Sequence, residues 1–224
     1  MASQSPAPHN TYTPGHTQVK HHEWRTAENS AAYLLPTLES LAKSKPEIIL
    51  LDIGCGSGTI TTSLAKHMPR GSITAVDISP DILTKAAEHA EQQGVTNIVY
   101  QTANIYTLPF EDETFDVVHA SMVLSHLDAP AEAYREMLRV TKSDGGVVAN
   151  RESDLTMWSC YPEPPVLRRY HEVQVALMRA SGGQVQAGPR LVSWAMEAGA
   201  RREQITASFG TWTYSTPEER EIWG

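Results

Sequence analysis

Two carboxylates and three glycines stand at spacings that suit a nucleoside ligand. Asp52 leads into Gly54, Gly56 and Gly58, and Asp77 lies 19 residues beyond Gly58. Glycine has no Cβ, so a backbone rich in it can approach a ligand closely. The apolar run 72–76 ends at Asp77, where an acidic side chain can take both hydroxyls of a ribose. Asp52 narrows the choice: a carboxylate at the mouth of the turn repels a pyrophosphate and holds a ligand with a positive end.

The spacing agrees. The dinucleotide fingerprint G-x-G-x-x-G needs a third glycine where this chain has Thr59, and Gly58 comes one residue early. No G-x-x-x-x-G-K-[ST] phosphate loop occurs. S-adenosylmethionine, with an ammonium at its methionine end and a sulfonium sulfur, fits these residues. Two alternatives remain: an ordinary strand-to-helix turn flanked by surface aspartates, and a nicotinamide-dependent oxidoreductase, against which Asp52 and the displaced glycine weigh.

Methyl transfer needs a general base only when the acceptor arrives protonated. His126 follows the fourth strand on the side where open α/β sheets bind ligands, and its usual pKa suits proton removal near neutrality. It can equally pack or cap the next turn. His119, inside the strand 115–121, reads as a satisfied core residue. Half of the 16 aromatic residues follow Asn150. Of these, Trp158 and Tyr161 are the candidate walls for a small, apolar substrate. Arg151 and Glu152 would orient a substrate or close an ion pair. No His, Cys and carboxylate set has metal-ligand spacing, so no metal is expected.

The elements that must position these groups alternate. Apolar patterning predicts strands over 48–53, 72–76, 97–102, 115–121 and 145–150. Helices are predicted over 59–67, 80–93 and 131–141, with Ser79-Pro80-Asp81 as a helix start and Gly94 as a stop. Upstream, 19–42 reads as a helix that Pro36 must kink or split. Five alternations in about 100 residues imply a doubly wound, mostly parallel sheet with helices on both faces. After Glu152 the prolines Pro162, Pro164 and Pro165 break the chain, helices are expected over 166–180 and 191–198, and 204–215 alternates like an edge strand. Thr216-Pro217-Glu218-Glu219 is a capping box that announces a further helix.

Composition bounds the partners. The 224 residues carry a net charge of −8, all of it in excess acid over 77–144, where 12 acidic and 4 basic side chains lie. Such a body is a poor nucleic-acid binder. No apolar stretch has the length of a membrane span, the N-terminus lacks a secretion signal, and Cys55 and Cys160 read as free thiols, so the cytoplasm is expected.

The chain resembles the class I S-adenosylmethionine-dependent methyltransferases, and within them the small-molecule group of ubiquinone and menaquinone methyltransferases and fungal secondary-metabolite enzymes. Leu51-Asp52-Ile53-Gly54-Cys55-Gly56-Ser57-Gly58-Thr59 and Val76-Asp77-Ile78-Ser79 carry the likeness. So do Leu108-Pro109-Phe110, Phe115-Asp116-Val117-Val118, Glu136-Met137-Leu138-Arg139-Val140 and the pair Gly145-Gly146. The resemblance implies a Rossmann-like core over 19–152, an N-terminal lid over 1–18, and a small helical substrate cap with an edge strand over 153–224. It implies that Asp52, Gly54 and Gly56 hold the methionine end and that Asp77 takes the ribose. Ile78 would lie on the adenine, Asn104 and Ile105 at its edge, and Ser121 beside the methionine moiety. Tyr12, His16 and Arg25 would close the site.

Two positions depart from the family. Asn104 stands where many members have Asp, and can still accept through its carbonyl. The family's final strand has no counterpart here, which implies a homo-oligomer, a partner subunit completing the sheet, or the same fold and pocket used without methyl transfer, as in a cyclase-like enzyme or a non-catalytic subunit.

Overall fold

The computed structural model describes residues 23–221. Tyr12, His16 and the expected helix start at 19 lie outside these residues. Strands β1 (Ile49–Ile53), β2 (Ser72–Asp77), β3 (Ile98–Thr102), β4 (Val117–Ser121) and β5 (Val147–Arg151) form one sheet in the order β3-β2-β1-β4-β5. Every pairing is parallel. The chain runs outward from β1 to β3, then returns to place β4 on β1's other side. Ligands of such sheets bind at that switch point, outside the carboxyl ends of the strands.

Both faces are covered, which is why the central strands are apolar on both sides. Leu51, Ile53, Val76, Val118 and Ala120 point to one core with Tyr134 and Met137 of α5 (Pro130–Val140) and Trp194 of α7 (Ala187–Glu197). Leu50, Ile73, Ala75, Val117 and Ala149 point to the other. There they meet Ala27 of α1 (Ala27–Ser30), Leu38 of α2 (Leu35–Ser44) and Leu64 of α3 (Thr59–Lys66). The segment holding Pro36 is split as expected: α1 stops at Ser30, and α2 restarts with the proline in its first turn, where its missing N–H costs nothing.

Helix α4 (Pro80–Gln92) starts without the expected side-chain cap from Ser79. Asp77 Oδ1 instead accepts from the Ser79 backbone N–H at 3.1 Å, so the strand's last carboxylate anchors the helix entry.

The edge strand expected over 204–215 does not form. A 3-10 turn at Arg202–Gln204 leads into irregular chain. The odd-numbered alternation does not decide the outcome, because the even-numbered aromatics turn inward: Trp24 lies edge-on to Trp212 at 6.1 Å and tilted to Tyr214 at 6.0 Å. Trp212 Nε1 donates to Asn29 O at 3.3 Å. Aromatic packing therefore spends this segment on the N-terminal side of the domain instead of the sheet edge. The capping box is present: Ser215 and Thr216 N–H donate to Glu219 Oε2 at 2.6 and 2.9 Å, and α8 runs Pro217–Glu221. In the cap, α6 (Pro165–Ala180) has no buried residue.

Candidate functional site

The glycine turn leaves β1 and is tied to β2. Gly54 N–H and Cys55 N–H both donate to Val76 O, at 2.7 and 3.1 Å. Gly54 (φ +67°) and Gly56 (φ +54°) occupy the left-handed region. A Cβ on Gly54 would stand 2.4 Å from Val123 Cγ2, so the loop after β4 packs against the turn, whereas a Cβ on Gly56 would meet nothing within 4 Å. The turn's open side is at Gly56.

Asp77 reaches that side. Its Oδ2 accepts from Gly56 N–H at 3.1 Å while Oδ1 serves Ser79. Burial pushes its carboxyl pKa up, opposed by these backbone donors. Each oxygen keeps a lone pair for a further donor. Ile78, 47 % exposed, offers an uncovered apolar face beside it.

Asp52 sits elsewhere than its role suggested. Its side chain is buried, with Oδ2 accepting from Thr61 Oγ1 at 2.5 Å and Oδ1 paired with His119 Nδ1 at 2.7 Å. His119 is only half satisfied: Nδ1 meets Asp52, and the buried Nε2 has no partner. The interleaving of β1 and β4 makes Asp52 and His119 direct neighbours, 67 positions apart in sequence.

Asn104 and Ile105 both make contacts within the protein. Asn104 Oδ1 accepts from Tyr106 N–H at 3.0 Å in a local turn that leaves the carbonyl oxygen one further lone pair. Ile105 is buried in the core, leaving its backbone as the part available to a ligand. His126 closes the 3-10 turn Leu124–His126. Burial, with Arg25 nearby, holds its pKa at about 4. It is neutral at pH 7 but a much weaker base than a free imidazole.

Trp158 stacks on His171 of α6 at 5.0 Å, and Tyr161 is fully exposed. The aromatics beside β5 are Trp24, Trp212 and Tyr214, and two guanidinium groups pack against the Trp212 ring: Arg151 at 3.9 Å and Arg25 at 5.1 Å from its centre. Sequence reasoning missed Trp212 because only the fold brings residue 212 to residue 25.

Ser121 and Arg151 lie opposite one another at the carboxyl ends of β4 and β5. Glu152 makes no ion pair with Arg151 among the described residues. Its Oε1 accepts from Val123 and Leu124 N–H, both at 2.7 Å, and its buried Oε2 has no partner. Burial pushes its carboxyl up to about 7. Met122, just before these amides, holds φ +60°. Glu152 thereby fixes a sharp bend whose next residue, Val123, rests on Gly54.

An open parallel sheet with a glycine turn after β1 and a carboxylate ending β2 defines a nucleoside-binding α/β protein. The chain belongs to the methyltransferase domain family, whose pattern its residues 44–197 match. It is 34% identical over 209 residues to an uncharacterised methyltransferase of Schizosaccharomyces pombe, covering 89% of this chain and 71% of that one. It is also 34% identical over 155 residues to a sequence of Aspergillus luteorubrus that carries the name methyltransferase ltbC, covering 64% of this chain and 52% of that one. A Bacillus halodurans structure described as a methyltransferase shares the fold with a TM-score of 0.57 at 24% identity, covering 74% of this chain and 68% of that one. The cofactor of the domain is S-adenosylmethionine, and the residues present fit it: an unobstructed Gly56, a carboxylate at Asp77 with lone pairs to spare, and the bare face of Ile78. Among the described residues no helix is long and apolar enough to cross a membrane.

Proposed function

We propose that this chain methylates a small metabolite that enters at the carboxyl ends of β4 and β5, beneath the aromatic group of Trp24, Trp212 and Tyr214. The observation that carries this reading is the packing of Trp212 against Arg151 and Arg25 next to Ser121. It builds an aromatic wall on the methionine side of the cleft, where an acceptor must stand for in-line transfer. The bound cofactor supplies an electrophilic methyl group on a sulfonium. The chain's residues supply the rest. Asp77 would hold the ribose hydroxyls, and the amides of the Gly54–Gly56 turn would face the methionine end. Ile78 would cover the adenine. Ser121 and Arg25 would bound the methionine side, with Tyr12 as a further candidate outside the described residues. Buried Asp52 adds negative potential under the positive end of the ligand.

A base is required only for a protonated acceptor. His126, with its pKa near 4, suits an acceptor that reaches the site already ionised. Incubation with labelled cofactor and a panel of aromatic metabolites tests the reading: transfer to at least one is expected, and Trp212→Ala should raise KM for it at least tenfold. A cofactor-binding protein that labels nothing in a broad panel counts against it.

Two coarser expectations stand as parts of the same proposal. The free thiols of Cys55 and Cys160 fit a reducing, cytoplasmic setting, and a role in secondary metabolism fits the likeness to the Aspergillus sequence. A homo-oligomer is supported by β5, which pairs only with β4 among the described residues. It is also supported by the exposed apolar side chains Val166, Tyr170, Val173 and Leu177 on α6, at spacings of four, three and four.

A further inference from the structure

Arg151 is a half-buried cation that closes no ion pair among the described residues. Its Nη1 is buried and has no hydrogen-bond partner, and burial pulls the guanidinium pKa down. One face of the group rests on Trp212 at 3.9 Å, which leaves its edge to find a partner. Of the neighbouring carboxylates, Asp52 is bonded to Thr61 and His119, and Glu152 gives Oε1 to the amides of Val123 and Leu124 while its charge acts on Arg151 without a hydrogen bond. Around Arg151 stand two more orphaned polar groups. Ser121 Oγ, on the residue opposite in register, is buried without a partner. So is the hydroxyl of Tyr33, whose ring lies 6.4 Å from that of His119 on the same face of the sheet. Tyr33 senses the charge of Arg151. Native proteins rarely leave several buried polar groups unsatisfied in one place unless a ligand or water completes them.

We propose that Arg151, with Ser121 and Tyr33, receives a carboxylate carried by the methyl acceptor. The guanidinium fork matches a planar carboxylate with two parallel bonds, and two hydroxyls can donate to the same oxygens. A monoanion is preferred over a phosphate dianion because Asp52 and Glu152 stand close by. The location assigns the group to the acceptor. Arg151 lies on β5, three strands and about 14 Å from the ribose-binding end of β2, beyond the cofactor's methionine end. The class of acceptor is thus an aromatic or alicyclic acid, its ring against Trp212. This inference rests on the acceptor entry described above.

Benzoate and benzamide distinguish the pocket's chemistry without requiring turnover. Titrated calorimetrically into the full chain loaded with S-adenosylhomocysteine, benzoate should bind at least tenfold tighter than benzamide. Arg151→Gln should abolish that preference, and Ser121→Ala and Tyr33→Phe should each reduce it about threefold, which keeps the test open if the arginine variant does not fold. Affinity for S-adenosylhomocysteine should change less than threefold in the Arg151→Gln protein. Equal binding of the two probes, or no binding of either, overturns the proposal. So does a loss of cofactor-product affinity of tenfold or more in Arg151→Gln, since that would assign the carboxylate to the cofactor's own methionine end. Failure of labelled methyl transfer with intact benzoate preference would instead overturn the acceptor reading and leave the anion pocket standing.

Discussion

Asp77 and Glu152 show how one functional group, the carboxylate, takes two roles by environment. Asp77 is held by two backbone donors at the mouth of the turn, with its remaining lone pairs turned to the cleft. Asp77→Ala should weaken S-adenosylhomocysteine binding by about 1.5–3 kcal/mol, the scale of a hydrogen bond to a charged group. Calorimetry reads this directly, and an unchanged affinity removes Asp77 from the site. Glu152 is buried with one unpartnered oxygen, and its pKa rises from 4.5 to about 7 in the fold. A raised carboxyl pKa means that the folded state keeps the proton longer than the unfolded chain. Stability from this group is therefore present below about pH 4.5 and is lost as pH climbs to about 7, by about 3 kcal/mol. Glu152→Gln keeps an acceptor for Val123 and Leu124 but cannot ionise. Urea unfolding of both proteins should show the variant gaining about 3 kcal/mol on the parent between pH 4 and pH 8; a constant difference across that range would mean that Glu152 does not titrate in the fold.

At the scale of elements, the turn after β1 is braced on both sides, by Val76 O of β2 and by Val123 after β4. Its glycines should therefore differ in sensitivity. Gly54→Ala meets both a left-handed φ and Val123 Cγ2 at 2.4 Å, and should cost about 2–4 kcal/mol in chemical denaturation. Gly56→Ala carries the same backbone penalty with open space around it. It should cost only about 1 kcal/mol in stability while lowering cofactor affinity, because the methyl group stands where a ligand would approach. Similar stability losses for the two would contradict the bracing. The helix starts were legible as short-range signals: Pro80 in a first turn, and the Thr216–Glu219 box. The segment 204–215 was not, because alternation reports which residues can share a face and says nothing about whether a strand edge is in reach.

For the whole molecule, the exposed apolar stripe of α6 and the single pairing of β5 make a definite expectation: light scattering behind size exclusion should give a mass above the 24.7 kDa of one chain. Placing Lys at Val173 and Leu177 should return it to that mass, and a monomer in the parent protein would assign the stripe no part in assembly. The alternation of strands and helices and the cofactor turn were legible in the sequence alone, since apolar runs, glycines and Asp77 act over one strand-turn-helix unit. What only the tertiary structure decided was the company each side chain keeps. Asp52 turned inward to His119, and Trp212 crossed the domain to pack against Arg25 and Arg151. These are contacts between distant positions, set by how strands order and helices pack, and no local pattern encodes them.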